Sequence, residues 1–439
     1  MKIAIIGFAV ENKSVYRYLS QYENNEITIC DKNEAVQIPE NTLSQLGENY
    51  LDNLGRFDII IRTVGMHPKI ILENNPEVDN IITTAVNLFF EECHSPIIGV
   101  TGTKGKGTTS TLISKILEAA GKKVILAGNI GTPMLDVLDE ANKSDLVVLE
   151  LSSFQLCDVK YSPQIAVCLM VVPEHLNWHR DMQDYLHAKQ NLFRYQKEGD
   201  ITVHNALNAN SASVAAVSPS LTKLTYFVGD EYTSKADAFV SGDSIWFKDT
   251  EICKISEVGL VGRHNLENIC AAVAATFDLI SGDVNAIRSV VLTFEGLPHR
   301  LELVRELDGV KYYDDSFSTT PETAIAAINS FDHPKILILG GSDKGVSFDE
   351  LADEAAKSAK HILAIGVTGR VIAELLRERG FHKISQDGLD NMESIVGEAR
   401  DLSKPGDVVI LSTGSASFDM FKDYKDRGTQ FQSAVKALK

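Results

Sequence analysis

Short apolar runs alternate with segments of helical spacing along almost the whole chain. Each run has the length of a strand and ends in glycine or polar residues, which is typical of buried strands in α/β proteins. This alternation predicts mainly parallel sheets covered by helices. The apolar runs occupy residues 3–8, 27–30, 58–62, 96–100, 123–126, 146–149 and 165–172, and the pattern resumes at 335–339, 361–365 and 408–411.

Two interruptions of this pattern, each marked by a proline, lie near residues 93–96 and 297–300. A chain of 439 residues is long enough for about three domains. We therefore predict three domains, at residues 1–93, 94–298 and 299–439. The stretch 205–220 is rich in alanine, serine and asparagine, and we interpret it as a variable surface excursion.

Composition is typical of a globular protein. The chain is 44% hydrophobic and 23% charged, and its apolar runs are much shorter than the roughly 20 residues of a bilayer-spanning helix. A net charge of −18 argues against broad nucleic-acid binding, which needs clustered lysine and arginine. Six cysteines without a C-x-x-C pair indicate reduced thiols in a cytoplasmic protein and no cysteine metal site. The opening apolar run is too short for a signal peptide.

A glycine-rich loop at residues 99–109, Gly-Val-Thr-Gly-Thr-Lys-Gly-Lys-Gly-Thr-Thr, follows an apolar run and precedes a helical segment. Glycines let backbone N–H groups approach an anion, the lysine adds positive charge, and the helix start adds its dipole. The loop therefore predicts phosphate binding and nucleotide use, with Thr108 or Thr109 holding Mg²⁺. Val100 and Gly107 depart from the strict G-x-x-x-x-G-K-[ST] pattern, and an ordinary turn is the alternative.

A second polar segment, residues 150–156 (Glu-Leu-Ser-Ser-Phe-Gln-Leu), begins where an apolar run ends. Ligands of parallel sheets bind at the carboxyl ends of the strands. We therefore expect Glu150 near the phosphate loop, where its carboxylate could coordinate Mg²⁺. The alternative is a structural role in which Ser152 or Ser153 caps a helix.

Three further segments carry candidate ligand-binding side chains. His175 follows an apolar run and Lys189 lies in the next helical segment, although a structural histidine and a solvated lysine are the alternatives. Asn265 and Asn268 share one face of an alanine-rich helix, where either could cap the helix or bond a ligand. Arg300 lies at the second interruption, from which it could reach a phosphate across an interdomain cleft.

The last third of the chain has polar segments at residues 314–316, 340–345 and 412–419, each after a strand-like run. Lys344 could pair with a substrate carboxylate, and Ser417 could donate a hydrogen bond to one. Ordinary turns are the alternative for each segment taken singly.

Together these motifs resemble the Mur ligases over the whole chain, most specifically the branch that adds D-glutamate to UDP-N-acetylmuramoyl-L-alanine. The most diagnostic motifs lie at residues 128–131, 150–156, 264–268, 297–300 and 411–427. The resemblance implies three α/β domains with mainly parallel sheets: a Rossmann-like domain for the UDP substrate, a P-loop-type central ATPase and a Rossmann-like domain for the amino acid. Family members convert the substrate carboxylate to an acyl phosphate with ATP, and an amine then displaces phosphate to form an amide.

The same resemblance implies partners and location. It implies that the protein uses ATP and Mg²⁺, takes UDP-N-acetylmuramoyl-L-alanine and D-glutamate as substrates, and acts as a cytoplasmic monomer. Its product would serve peptidoglycan synthesis, and through it cell-wall biogenesis, cell shape and cell division.

Roles toward ATP and metal follow from the resemblance, with Lys106, Glu150, His175 and Lys189 as the catalytic set. Lys189 matches the family lysine that reacts with CO₂ to form a carbamate, an anion that suits a cation site where an ammonium would repel the metal. The residues implied to hold metal are Thr108, Glu150, His175 and Lys189. Those implied to hold ATP are Gly102, Thr103, Lys104, Gly105, Lys106, Gly107, Thr108, Asn265, Asn268, Arg300 and Asp315.

Substrate contacts are implied at both ends of the chain. The loops at Gly7 and at residues 63–67 would join Asp31 around the UDP moiety, and closure of the domains would bring the amino acid to the acyl phosphate. The implied substrate-binding residues are Asp31, Asn129, Ser152, Thr319, Lys344, Ser417, Phe418 and Tyr424.

Several positions depart from the usual family pattern. In the phosphate loop, Lys104 replaces an asparagine and Gly107 a serine or threonine, a variant reminiscent of folylpolyglutamate synthases. Phe317 replaces a lysine in the third domain, and the loop at residues 7–14 lacks the usual later glycines. Two alternatives therefore stay open: a sister ligase with another amino acid or a folate-like acceptor, and a non-catalytic nucleotide-sugar-binding relative.

Overall fold

Three sheets organise the chain in the structure, a computed structural model that describes residues 1–129, 132–229, 236–343 and 345–439. The described residues fall into two units. The first unit comprises Met1–Val258 and Leu266–Leu292, and the second comprises Gly259–Asn265 and Thr293–Lys439. The prediction of an α/β protein with mainly parallel sheets is confirmed.

The first sheet is entirely parallel. Its elements are β1 (Lys2–Ile6), α1 (Val10–Leu19), β2 (Glu26–Asp31), β3 (Leu43–Leu46), β4 (Ile59–Arg62), α2 (Pro68–Leu72), β5 (Ile82–Thr83) and α3 (Ala85–Glu92). The strand order is β3-β2-β1-β4-β5. The central strand β1 is buried on both faces, as its unbroken apolar run requires.

The second sheet has nine strands in the first unit. Its strands are β6 (Ile97–Thr101), β7 (Val124–Gly128), β8 (Leu146–Glu150), β9 (Ile165–Cys168), β10 (Ile201–Asn205), β11 (Thr222–Phe227), β12 (Ala238–Ser241), β13 (Ser244–Phe247) and β14 (Thr250–Lys254). The helices of this region are α4 (Lys106–Ala119), α5 (Leu138–Ala141), α6 (Ser153–Leu156), α7 (Met182–Arg194), α8 (Ala209–Ala215), α9 (Arg263–Thr276) and α10 (Val284–Val291). The order is β14-β13-β12-β11-β10-β9-β6-β8-β7, with antiparallel pairing only where β13 meets β12 and β14.

The third sheet lies in the second unit. Its elements are β15 (Glu302–Leu307), β16 (Val310–Asp314), α11 (Pro321–Ile328), β17 (Lys335–Leu339), α12 (Asp349–Ser358), β18 (Ala359–Ala364), α13 (Gly366–Glu378), β19 (Ile384–Ser385), α14 (Met392–Leu402), β20 (Val408–Leu411) and α15 (Tyr424–Ala437). The order is β15-β16-β20-β17-β18-β19, and only the edge strand β15 is antiparallel to its neighbour.

Every apolar run that predicted a strand lies on one, so those predictions are confirmed. The run at 165–172 continues past its strand, because β9 ends at Cys168 and the next residues turn toward the phosphate loop. There the Met170 carbonyl accepts a hydrogen bond of 2.8 Å from the Thr103 N–H. Strands without an apolar run were missed, among them β11 and β15, which mix apolar with polar residues.

The interpretation of residues 205–220 as a surface excursion is wrong. They include the end of β10 and helix α8, which buries Ser211 and Val214. The Asn208 side chain caps α8 by accepting from the Ser211 N–H at 2.8 Å, and the Ser211 hydroxyl donates to the Cys168 carbonyl at 2.9 Å. Small polar side chains such as Ser211 therefore satisfy buried backbone groups here.

The two predicted interruptions fall in connections between elements. Residues 93–96 join α3 to β6, and residues 297–300 lie between α10 and β15. The domain limits themselves stay predictions. In the ranges that the structure describes, no helix is both long and apolar enough to cross a bilayer.

A buried ion pair joins the end of β4 to the residues after α6. The side chain of Arg62 is fully buried and makes a two-pronged contact with Asp158, with Nε at 2.8 Å and Nη2 at 2.7 Å from the carboxylate oxygens. The same guanidinium donates to the carbonyls of Met66 at 2.7 Å and Phe154 at 3.1 Å. One side chain thus ties the first sheet to the second.

Removing the carboxylate of this pair should destabilise the first unit. Asp158→Ala leaves the buried guanidinium uncompensated, which we expect to cost about 3–5 kcal/mol. Arg17→Ala is the control, because the Arg17 side chain is 56% exposed where it pairs with Asp136, and exposed pairs contribute less than about 1 kcal/mol. Urea unfolding should separate the two variants; equal midpoints would contradict a structural role for the buried pair.

Candidate active site

The phosphate loop follows β6, an inner strand of the second sheet, and leads directly into a helix. β6 ends at Thr101, and α4 begins at Lys106 with Gly105 as its N-cap. Gly102 and Gly105 have φ angles of 146° and 84°, a left-handed region that favours glycine. Exposed N–H groups at such a helix start suit an anion.

Both glycines are also required by space. A Cβ at residue 102 would lie 2.6 Å from the Cβ of Leu169, and one at residue 105 would lie 2.2 Å from Oδ1 of Asn268. Asn268 in turn accepts a hydrogen bond of 3.2 Å from the Thr109 hydroxyl. Asn268 on α9 therefore lies against the phosphate loop, and a Cβ at residue 105 would displace its side-chain amide.

Two lysine ammonium groups approach the same loop carbonyl. Lys106 Nζ donates to the carbonyls of Gly102 at 3.2 Å and Thr103 at 3.0 Å. Lys189, on α7, is 1% exposed, and its Nζ donates to Gly102 O at 2.8 Å. Burial, with a smaller contribution from the charge of Lys106, lowers the pKa of Lys189 to about 7. Positive charge is thus concentrated beside the phosphate loop.

Glu150 supplies an unsatisfied carboxylate oxygen at the same edge of the sheet. It ends β8, next to Val100 on β6, and is 3% exposed. Its Oε1 accepts from Nδ2 of Asn129 at 2.9 Å, whereas its Oε2 has no hydrogen-bond partner among the described residues. A buried oxygen of this kind needs an explanation, and a divalent cation with oxygen ligands fits it.

His175 lies at the rim of this region. It has a left-handed φ of 59°, and its ring centroid is 4.7 Å from that of Phe154. Burial lowers the pKa of His175; Glu174 opposes this shift, and nearby lysines add to it. Nε2 of His175 is 3.8 Å from Glu174, whose other oxygen pairs with Lys104.

The other residues of the central region that are predicted to bind the nucleotide do not all belong to the same unit. Thr108 is buried in the first turn of α4, and Asn268 lies in the first unit against the loop. Asn265 belongs to the second unit, where its Nδ2 donates to the Val261 carbonyl at 2.7 Å. The alternative of a structural hydrogen bond is therefore seen for Asn265.

The carboxyl edge of the first sheet gathers the predicted UDP-binding loops. The Asp31 carboxylate accepts from the Phe8 N–H at 2.7 Å, directly after Gly7. A Cβ at Gly7 would lie 2.7 Å from Cγ2 of Thr63. The ends of β1, β2 and β4 thus bring these residues together.

Ser152 acts as a helix cap, which was the structural alternative. Its hydroxyl accepts from the Gln155 N–H at 3.3 Å, and Gln155 Oε1 accepts from the Ser152 N–H at 3.0 Å. Gln155 Nε2 in turn donates a hydrogen bond of 3.0 Å to Oε1 of Glu11 on α1. A substrate contact by Ser152 stays a prediction.

Sequence reasoning missed two partners of the phosphate loop, Tyr185 and Glu174. The Tyr185 hydroxyl lies 2.9 Å from the Thr103 hydroxyl, and its ring centroid is 4.6 Å from Lys189 Nζ. The four-residue spacing of Tyr185 and Lys189 on α7 could have indicated a shared helix face. No comparable local signal links Glu174 to Lys104.

The second unit holds the other predicted residues. Asp315 is 5% exposed and accepts from the Ser412 hydroxyl at 2.6 Å, and burial raises its pKa to about 7. Arg300 lies over the Phe317 ring, with Cζ 3.8 Å from its centroid. Ser417 is buried and Phe418 is exposed.

Two further residues of the predicted amino-acid pocket are among the described residues, and a third is not. Tyr424 begins α15, and its ring centroid is 5.2 Å from that of Phe317. Thr319 is half-buried just before α11. Lys344 lies outside the described residues.

A glycine loop between a buried strand and a helix, with two lysines at one carbonyl, defines a phosphate-binding α/β protein. The sequence matches the Mur ligase middle domain over residues 100–276 and the Mur ligase glutamate ligase domain over residues 299–415. The chain belongs to the Mur ligase family.

Full-length relatives and solved structures agree with this assignment. The UDP-N-acetylmuramoylalanine–D-glutamate ligase of Acetivibrio thermocellus is 40% identical, with 100% of this chain and 96% of that protein covered. The enzyme of the same name from Symbiobacterium thermophilum is 39% identical, with 100% and 98% covered. The structure of UDP-N-acetylmuramate-alanine ligase MurC from Thermotoga maritima is similar in fold, with a TM-score of 0.61, 16% identity and 100% of both chains covered.

Gly105→Ala should weaken nucleotide binding, whereas Gly121→Ala should not. Both glycines have a left-handed φ, 84° and 80°, but nothing lies within 4 Å of a Cβ at Gly121. Both variants carry a similar backbone strain, and only the first displaces Asn268 from the loop. We expect Gly105→Ala to raise the ADP dissociation constant about tenfold or more, equivalent to at least ~1.4 kcal/mol. Calorimetric titration measures it, and equal affinities would contradict the role given to this contact.

Proposed function

We propose that the chain catalyses the ATP-dependent addition of D-glutamate to UDP-N-acetylmuramoyl-L-alanine in peptidoglycan synthesis. Relatives with this named activity match the whole chain at 37–40% identity. The observation that carries the proposal is Glu150, whose buried Oε2 lacks a hydrogen-bond partner in the described chain beside the phosphate loop. A carboxylate there suits the cation that accompanies a transferred phosphoryl group.

The reaction has two balanced steps. A carboxylate oxygen of the UDP substrate attacks the γ-phosphorus of ATP, the bond to the bridging oxygen breaks, and ADP leaves. The amino nitrogen of D-glutamate then attacks the acyl carbon and loses a proton, while phosphate leaves with the electrons of the broken C–O bond. Positioning and charge stabilisation account for most of the catalysis expected of a phosphoryl transfer.

The phosphate loop would hold the ATP phosphates. Backbone N–H groups at the start of α4 would face the phosphates, and Lys106 could exchange its carbonyl contacts for phosphate oxygens. Asn268 would hold the loop in its conformation through its contacts with Gly105 and Thr109. Asn265, Arg300 and Asp315 would complete nucleotide binding.

Mg²⁺ fits the donors present. Glu150 would hold it through the unpaired Oε2, together with Thr108 and His175, and the ion would neutralise charge on the transferred phosphoryl group. Asn129 holds Oε1 of Glu150, which would leave Oε2 available to the metal. Asn129 and Ser152 would also contact the substrate.

Lys189 suits a cation site only after modification. Its burial and its contact with Gly102 O place an ammonium where the loop already carries Lys106. Reaction of the neutral amine with CO₂ forms an N–C bond, releases a proton and turns the side chain into a carbamate anion. That anion would help to position a second Mg²⁺.

The other substrates would bind at the first and third sheets. Asp31 would hold the UDP moiety with the loops at Gly7 and at residues 63–67. Thr319, Lys344, Ser417, Phe418 and Tyr424 would receive D-glutamate. We place the reaction in the cytoplasm, on a monomeric protein.

A reconstituted reaction tests this function. The purified protein is incubated with ATP, Mg²⁺, UDP-N-acetylmuramoyl-L-alanine and either D- or L-glutamate, and phosphate release and product mass are followed. We expect release and a new amide only with D-glutamate. Release with L-glutamate alone would indicate a sister ligase, and no release with either isomer would favour a non-catalytic relative.

Two variants test the central site in that assay. Lys106→Ala and Glu150→Gln should each lower kcat at least about 100-fold, because each removes charge stabilisation of the transition state. Lys115→Ala and Glu118→Gln, exposed positions on the same helix α4, are the controls and should retain activity. Near-normal turnover of either site variant would refute the assignment.

Chemical rescue tests the carbamate. Lys189→Ala should lose most activity and regain part of it with added acetate or formate, since a small carboxylate can replace the lost anion. Ethylamine, which restores only an ammonium, should not rescue. Rescue by the amine, or full activity of the variant without additive, would contradict the carbamate.

A further inference from the structure

The segment that presents Arg300 has an unusual backbone. His299 and Leu301, its two neighbours, have φ angles of 63° and 47°. Non-glycine residues rarely adopt this left-handed region, and they persist there only when surrounding contacts impose it. Such strain on both sides of one arginine suggests that its direction matters.

Carboxylates of the second unit impose this conformation. The Asp314 carboxylate lies 2.7 Å from Nδ1 of His299, and Asp315 Oδ1 accepts from the Leu301 N–H at 3.1 Å. Glu302 accepts from the His299 N–H at 2.9 Å. The backbone on both sides of Arg300 is therefore held by side chains.

Phe317 holds the same segment from the other side. Its N–H donates to the His299 carbonyl at 2.9 Å, and its ring lies under the Arg300 guanidinium, with 3.8 Å between Cζ and the ring centroid. Tyr424 meets that ring edge-on, at 5.2 Å and 88°. The Phe317 ring is thus fixed by one aromatic neighbour and offers its face to the cation.

Exposure distinguishes this ring from a core residue. Phe317 is 38% exposed, so part of the ring faces solvent and it is not a core residue. A cation over an aromatic face is attracted by the ring quadrupole, and a flat ring also limits the rotamers of the long arginine side chain. A lysine at residue 317, the usual family residue, would instead repel the guanidinium.

We propose that Phe317 is a positioning residue that fixes the direction of the Arg300 guanidinium for ATP binding. This inference rests on the proposed function, in which Arg300 contacts ATP. The aromatic ring pre-organises the cation before ATP binds, so less side-chain freedom is lost on binding. Where the family usually has a lysine at residue 317, this chain has a ring that fixes the direction of the Arg300 guanidinium.

The test compares Phe317→Leu, Phe317→Tyr and Phe317→Lys in the full-length protein. Leucine removes the aromatic face, and we expect the KM for ATP to rise about fivefold while kcat falls less than about twofold and the KM for D-glutamate stays constant. Tyrosine keeps the ring and should behave as the wild type. Lysine should raise the KM for ATP at least as much as leucine. Phe381→Leu, a partly buried aromatic of the same unit, is the matched control.

A double-mutant cycle separates positioning from other roles. Arg300→Ala alone should weaken ATP use, and adding Phe317→Leu to it should have no further effect, because the ring then has no cation to direct. Independent, multiplying effects would overturn the proposal, as would an unchanged KM for ATP or a raised KM for D-glutamate in Phe317→Leu.

A binding measurement separates failure of this proposal from failure of the proposed function. Affinity for a non-hydrolysable ATP analogue, measured by calorimetry without acceptor, should fall in Phe317→Leu by the same factor as in the kinetic assay. If the wild type binds the analogue but never turns over with D-glutamate, the proposed function fails and the binding data still decide the role of Phe317. Equal affinities of wild type and Phe317→Leu would overturn that role.

Discussion

Like charges crowded at the carboxyl edge of the second sheet are the constraint around which the rest of the first unit is arranged. Lys106 and Lys189 share the Gly102 carbonyl, and both are largely withdrawn from water, where screening is weak. Such an arrangement is unfavourable while both groups are charged, and burial lowers the pKa of Lys189 to about 7. Loss of a proton from Lys189 therefore relieves the repulsion and leaves the neutral amine that the proposed carbamate requires.

At the same edge of the sheet, the close approach of strands β7 and β8 positions Glu150. Gly128, at the end of β7, has φ 110°, and a Cβ there would lie 2.3 Å from the Glu150 carbonyl. The strand that carries Glu150 can consequently pass close to its neighbour, and Asn129 follows at once to hold the carboxylate. Position and orientation of the Glu150 carboxylate thus come from two consecutive residues, one at the end of β7 and one directly after it.

Much of the fold could be predicted from sequence, because strands buried on both faces are continuous apolar runs. The candidate site could be predicted in outline, since Lys106 and Glu150 each follow such a run and parallel strands end at one edge. The pairing of Glu174 with Lys104, the contact of Tyr185 with Thr103 and the burial of α8 could not. They depend on which loops meet in three dimensions, and local spacing does not contain that information.

The Arg62–Asp158 pair has a consequence for how such proteins can be recombined. Its two halves lie 96 positions apart, on either side of the connection between the first and second sheets. A chimera that took its first sheet from one relative and its second from another would keep this pair only if both donors supplied the matching half. The two residues are therefore expected to be inherited together, and the joint between the sheets is a poor place to exchange modules.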